Sequence, residues 1–178
     1  MKDRTLLMIP GPIEFEPAVL AALGAPTTSH LDPAFIDAFG QALQRMRQVF
    51  LCSDGQPFVL AGTGTLAMDL AGANLVEPGD KALVVNTGYF GDRFGALLAR
   101  YGAQVTPLRA PVGGRPSLDE VEAALKHDHY KLMTVTHVDT STGVITDVRR
   151  LALLADRYGV LSVVDGVCSV AGEELRTA

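Results

Sequence analysis

Val163-Val164-Asp165 places a carboxylate at the end of an apolar run that reads as a buried strand. Taking a charge out of water is costly without a partner. Asp165 therefore either caps the next turn or holds a cationic group of a ligand. Gly62-Thr63-Gly64-Thr65-Leu66-Ala67 stands between another apolar run and a helical stretch. Glycines let a backbone approach an anion, and the first N–H groups of a helix can bind phosphate. A phosphate cradle is one reading of this segment, and a tight structural turn is the other. The spelling also fits the dinucleotide fingerprint G-x-G-x-x-A, which needs an acid about 20 residues on, at the end of the next strand. That strand ends Val84-Val85-Asn86, so a dinucleotide is disfavoured. Thr87-Gly88-Tyr89-Phe90-Gly91 sets two aromatics between glycines. Both rings pack beneath the loop, or one stacks on a flat ligand. His137-Val138-Asp139-Thr140-Ser141-Thr142-Gly143 follows a further apolar run. Hydroxyls and an Asp capping a turn explain that segment adequately. His137 reads as a hydrogen-bonded structural histidine. No second His or Cys stands near it at metal-ligand spacing, so no zinc site is expected.

These segments need a scaffold that brings them together. The N-terminal stretch carries Pro10, Pro12, Pro17, Pro26 and Pro33 and reads as irregular. Asp32-Pro33 is an N-cap followed by a first helical residue. Phe35, Ile36, Phe39, Leu43, Met46 and Phe50 follow at helical spacing, so a helix runs to about Phe50. Five apolar runs read as strands: Pro57–Ala61, Ala82–Val85, Gln104–Leu108, Leu132–Thr136 and Val160–Val164. Helical stretches fall between them, to Val76, near Asp92–Tyr101, from the Ser117/Glu120 capping box to about Lys126, and near Asp147–Tyr158. Alternation of this kind predicts an α/β fold, a mostly parallel sheet with helices on both faces. In such sheets ligands lie outside the carboxyl ends of the strands. The four polar segments all follow strands, so they should converge on one site.

Composition narrows the function. The 178 residues hold 15 basic and 20 acidic side chains, a net charge of −5, which argues against nucleic acid or an anionic membrane as a partner. No apolar run reaches the ~18 residues of a membrane span. Cys52 and Cys168 are far apart in sequence, which fits a reducing, cytoplasmic setting better than a disulfide framework.

The segments in this order resemble the class V branch of fold type I enzymes that use pyridoxal 5'-phosphate (PLP). The likeness is greatest to the alanine–glyoxylate and serine–glyoxylate aminotransferases. It runs from Ile9-Pro10-Gly11-Pro12-Ile13 through Pro57–Thr65, Asn86–Arg93 and Thr134–Gly143 to Val163–Ser169. The resemblance implies that Thr63, Gly64 and Thr65 cradle the cofactor phosphate. Phe90 would stack on the pyridine ring, and Val167 would cover its other face. Thr140 would lie near the ring hydroxyl and the substrate, with Gly11 also near the substrate pocket. Asp165 would bind the ring nitrogen as the catalytic carboxylate, keeping the ring an electron sink.

The resemblance further implies amino acid and 2-oxo acid substrates, a homodimer when intact, and a Schiff-base lysine beyond Asp165. The lysines present are Lys2, Lys81, Lys126 and Lys131, and none matches that position. The expected organisation is an arm over residues 1–25 and a truncated PLP-binding large domain over 26–178. The family's C-terminal small domain would be absent and the fragment inactive alone. Transfer from alanine or serine to glyoxylate is the expected parent activity. A ureidoglycine-preferring relative and a non-catalytic interaction module are the rival expectations. The expected compartment is the cytoplasm, with a peroxisome or mitochondrion as the alternative for an intact relative.

Overall fold

The computed structural model describes residues 5–9 and 11–176; Lys2, Pro10 and Ala178 lie outside them. In chain order the helices are α1 (Pro17–Leu23), α2 (Pro33–Val49), α3 (Gly64–Leu75), α4 (Tyr89–Arg100), α5 (Leu118–His127) and α6 (Val148–Arg157). The strands are β1 (Lys81–Asn86), β2 (Gln104–Arg109), β3 (Leu132–Thr136), β4 (Val138–Asp139), β5 (Val144–Ile145) and β6 (Leu161–Asp165). Four strands form one parallel sheet in the order β2-β1-β3-β6.

The two-residue period of a strand divides its side chains between two cores. Leu83, Val85, Met133 and Val135 pack with Val121 and Leu125 of α5 and with Leu151 and Leu154 of α6. Ala82, Val84 and Leu132 pack with Met68 of α3 and with Phe94, Leu97 and Leu98 of α4. Both faces of the central strands are thus covered, which is why β1 and β3 are apolar almost throughout. Pro107 lies on β2, an edge strand, where a missing N–H is tolerated.

Local chemistry sets the helix starts. Asp32 accepts the Ala34 N–H at 2.9 Å ahead of Pro33. Ser117 and Glu120 form the reciprocal capping box of α5. Asp147 accepts the Arg150 N–H at 3.1 Å at the start of α6.

Four of the five expected strands are present. Pro57–Ala61 is not a strand: it pairs with no neighbour among the described residues, and Phe58 is 80% exposed. An apolar run becomes a strand only where a partner takes its backbone hydrogen bonds. The stretch read as irregular contains α1, which starts at Pro17, a residue preset for a first helical position. The fourth helix begins at Tyr89 rather than near Asp92. The segment read as a polar loop after β3 holds the antiparallel pair β4–β5, whose return passes through Gly143 at φ 68°.

The chain steps from β1 to β2 over one face, then passes back across β1 over the other face to reach β3. The strand order therefore reverses between β1 and β3, which is where ligand crevices form in such sheets. The far edge of β6 pairs with no strand among the described residues. No described residue of α2 is buried, and Phe35, Ile36 and Phe39 of its apolar stripe are exposed. An open edge beside uncovered apolar surface promotes association. Sedimentation of the purified chain should show species larger than a monomer, together with binding of an apolar dye. A compact monomer that binds no dye would contradict this description of its surface.

Candidate active site

Thr136 of β3 lies in register with Asp165 of β6, so the segments following these strands leave the sheet side by side. Beyond them opens a cleft of about 170 Å³. Gly64 and Thr65 of α3, Phe90 of α4, Thr140, Asp165 and Val167 line it, with Met68, Thr136, Val138 and Cys168. Six of the residues singled out from the sequence thus meet around one space. The seventh, Thr63, sits at the N-cap of α3, where its Oγ1 accepts the Leu66 N–H at 3.2 Å. The N–H groups of Gly64 and Thr65 belong to the first turn, which has no intrahelical acceptor for them. Gly11 is exposed and does not line the cleft.

Val167 is 71% exposed and leans over the start of α3. A Cβ placed on Gly64 would stand 3.3 Å from its Cγ2, so the bare backbone at Gly64 lets the valine approach. The Thr140 hydroxyl is hydrogen-bonded to the Cys168 thiol. The ring of Phe90 meets that of Tyr89 edge-on at 5.3 Å; Tyr89 is exposed and Phe90 is half-buried at the cleft.

Asp165 is half-buried, and its Oδ1 accepts the Val167 N–H at 3.1 Å. The carboxylate does cap its turn. It is also left without a cationic partner among the described residues. Burial pushes its carboxyl above the usual carboxylate range. The Val167 N–H opposes that shift and the charge of Asp139 adds to it. His137, 4% exposed, hydrogen-bonds Ser169 Oγ through Nδ1 at 2.9 Å. Burial holds its pKa below the ordinary histidine value, against the opposing charge of Glu173. It is a structural residue behind the cleft.

Asp139 was legible only as a turn cap, and the structure gives it more to do. It is 0% exposed. Its Oδ1 accepts the Ser141 N–H at 2.9 Å and the Ser141 hydroxyl at 2.6 Å. Its Oδ2 accepts the Phe90 N–H at 3.2 Å, across from the β1 loop. Asn86 supports that loop from below, accepting the Gly88 N–H at 3.0 Å and donating to Asp92 at 2.8 Å. Asp92 is also paired with Arg109. The signal in the sequence was the pair of glycines at 88 and 91. A Cβ at Gly91 would lie 2.7 Å from Asn86 Oδ1.

The Aminotransferase class-V family profile matches residues 19–178. The chain belongs to the class-V aminotransferases. That family is PLP-dependent. The chain is 41% identical over 182 aligned positions to alanine–glyoxylate aminotransferase 1 of Saccharomyces cerevisiae, covering 97% of this chain and 47% of the relative. The crystal structure of an alanine–glyoxylate aminotransferase from Nostoc sp. superposes with a TM-score of 0.92 at 36% identity, over 96% of this chain and 45% of that one. The ureidoglycine–glyoxylate aminotransferase of Bacillus subtilis gives a TM-score of 0.92 at 27% identity, over 99% and 46%. The chain thus spans about half the length of these class-V relatives. No helix among its described residues is long and apolar enough to cross a membrane.

The raised Asp165 pKa fixes the sign of its effect on stability. The folded state binds this proton more tightly than the unfolded state. The contribution is therefore fully present below the unfolded carboxylate range and is lost as pH rises through the folded value. Near neutral pH the charged Asp165 burdens the ligand-free fold. Asp165→Asn should raise the thermal midpoint of the free chain at neutral pH, and the gain should shrink in acid. A lower midpoint at neutral pH would show that the carboxylate is already compensated.

Proposed function

We propose that this chain is the cofactor-holding portion of a PLP-dependent aminotransferase that moves an amino group from alanine, or serine, to glyoxylate. The observation that carries the reading is the half-buried Asp165 carboxylate, desolvated and facing no cation among the described residues. A protonated pyridine nitrogen is the partner that such a carboxylate needs. The other side chains at the cleft fit the same ligand. Phe90 offers an aromatic face, Val167 an apolar cover, and the start of α3 offers N–H groups and the positive end of a helix dipole for a phosphate. Bound there, PLP supplies an electron sink for the carbon that gives up the amino group.

The residues of this chain then have separate tasks. Asp165 holds the proton on the ring nitrogen and so keeps positive charge where electrons must flow. Gly64 and Thr65 fix the phosphate through backbone N–H groups, with Thr63 maintaining the helix start that presents them. Thr140 orients the ring hydroxyl and borders the substrate. Phe90 and Val167 hold the ring between them and exclude water from its faces. Gly11 belongs to the substrate side in this reading, on the arm formed by residues 1–25. The large-domain portion is residues 26–178, and two such chains pair when the enzyme is intact.

The described lysines serve elsewhere. Lys81 binds Asp128 at 2.7 Å, Lys131 binds Asp80 at 2.6 Å, and Lys126 binds Glu122 at 3.2 Å. The first two stand at the starts of parallel strands, and Lys126 stands in the last turn of α5, so all three are at the opposite end of the sheet from the cleft. None of these three is placed to form the imine of the reaction, so in this reading that lysine is supplied from outside the described residues. That supports reading the chain as a portion that does not turn over by itself.

Joining the chain to the C-terminal half of the yeast relative tests the reading. Glycine should form from glyoxylate when alanine or serine is supplied. Asp165→Asn should cut that rate by about a hundredfold or more, the scale of losing a preorganised charge in a dry site. A rate within about twofold of wild type would make Asp165 a turn cap only, well below the usual loss at such positions. Glycine formation with ureidoglycine but neither amino acid would assign the donor to the other named class of relative.

A further inference from the structure

Phe90, the aromatic wall of the cleft, is the second residue of α4, and its own helix does not cap it. Gly88 occupies the N-cap and has no side chain to accept the leftover N–H groups. Those donors go across to the loop after β3. Tyr89 N–H donates to Ser141 Oγ at 2.9 Å, and Phe90 N–H donates to Asp139 Oδ2 at 3.2 Å. The Thr142 hydroxyl returns a bond to Thr87 O at 3.0 Å. Gly88 is what permits the approach: a Cβ there would lie 2.5 Å from Ser141 Oγ and 2.7 Å from Asp139 Oδ1.

We propose that Asp139 is a positioning residue of the site: capping α4 from the neighbouring loop, its carboxylate fixes the ring of Phe90 at the cleft. The proposal rests on the reading of that cleft as the cofactor's place. A turn-capping role alone would need only Oδ1, which takes the N–H and O–H of Ser141 two residues on. Oδ2 instead reaches a residue 49 positions away in the sequence. All three groups facing the side chain are donors, so an amide would set its own NH₂ against one of them. The negative charge also lies at the positive end of α4, where it is favoured. The same charge acts on Asp165 and makes the cleft more receptive to a cation.

The experiment uses the 178-residue chain with Asp139→Asn and Ser141→Ala. Amide hydrogen exchange and the Phe90 ring resonances are followed by NMR, and PLP affinity by absorbance titration. Asp139→Asn should speed exchange at Tyr89 and Phe90 by about tenfold or more, the scale of losing one buried acceptor. It should also shift the Phe90 ring resonances and weaken PLP binding, while Val84 and Val135 in the sheet keep their protection. Ser141→Ala should speed exchange chiefly at Tyr89. A purely structural role would lower protection evenly across Val84 and Val135 and leave the Phe90 ring shifts in place; that result overturns the proposal. So would unchanged exchange at both α4 amides. If Asp139→Asn does not fold, Ser141→Ala decides: Ser141 is exposed, and losing its hydroxyl removes a donor that holds Asp139 Oδ1, so the Phe90 ring resonances should shift, and unchanged ring resonances overturn the proposal. If wild type binds no PLP while exchange and ring shifts change as expected, the cofactor reading fails and the positioning of Phe90 stands.

Discussion

The carboxylate of Asp139 has no exposed surface, yet every group the structure sets against it is a donor from one of two loops. A buried charge is tolerated only when hydrogen bonds replace its water. Here the replacement ties the segment after β1 to the segment after β3, at the point where the strand order reverses. The glycines at 88 and 91 exist for this arrangement, because a Cβ at either would collide with Asp139 or with Asn86. The start of α4, and with it Phe90, is therefore located by contacts outside its own helix. The wall of the cleft is as rigid as that pairing.

The sheet makes the pairing possible and keeps the paired lysines at the end away from the cleft. All four long strands run parallel, so their starts share one end and their exits the other. Lys81 and Lys131 are neutralised by Asp128 and Asp80 at the starts. Asp139 and Asp165 stand at the exits, where among the described residues Asp165 faces no cation. The lysines at one end of the sheet are paired, and at the other end Asp165 is left without a positive partner among the described residues. A ligand with a cationic ring and an anionic tail suits that end, since the tail can go to the N-terminus of α3.

Much of this was readable from residue types. The capping box at Ser117, the Asp32-Pro33 helix start and four strand runs follow from local rules, and the structure has them. That the loops carrying Gly64, Thr65, Phe90, Thr140, Asp165 and Val167 converge followed from one rule about the exits of parallel strands, while the choice of Phe90, Thr140 and Val167 within them came from the family resemblance. What could not be read depends on partners distant in sequence. Pro57–Ala61 has the composition of a strand, but pairing decides, and it pairs with no strand among the described residues. The start of α4 shifted to Tyr89 because its caps come from Asp139 and Ser141, about fifty positions away. Asp139 looked like a residue of its own turn for the same reason: one oxygen serves the turn and the other serves a loop that the sequence does not place beside it.

The cleft between α3, α4 and the exit of β6 is proposed to receive PLP without forming a bond to any lysine of this chain. Equilibrium dialysis of the purified 178-residue chain against PLP, followed by borohydride reduction and peptide mapping, tests it directly. The account predicts saturable binding of one PLP per chain, weakened by Asp165→Asn, with no lysine labelled stoichiometrically. Absence of saturable binding, or full labelling of one residue among Lys2, Lys81, Lys126 and Lys131, would contradict it.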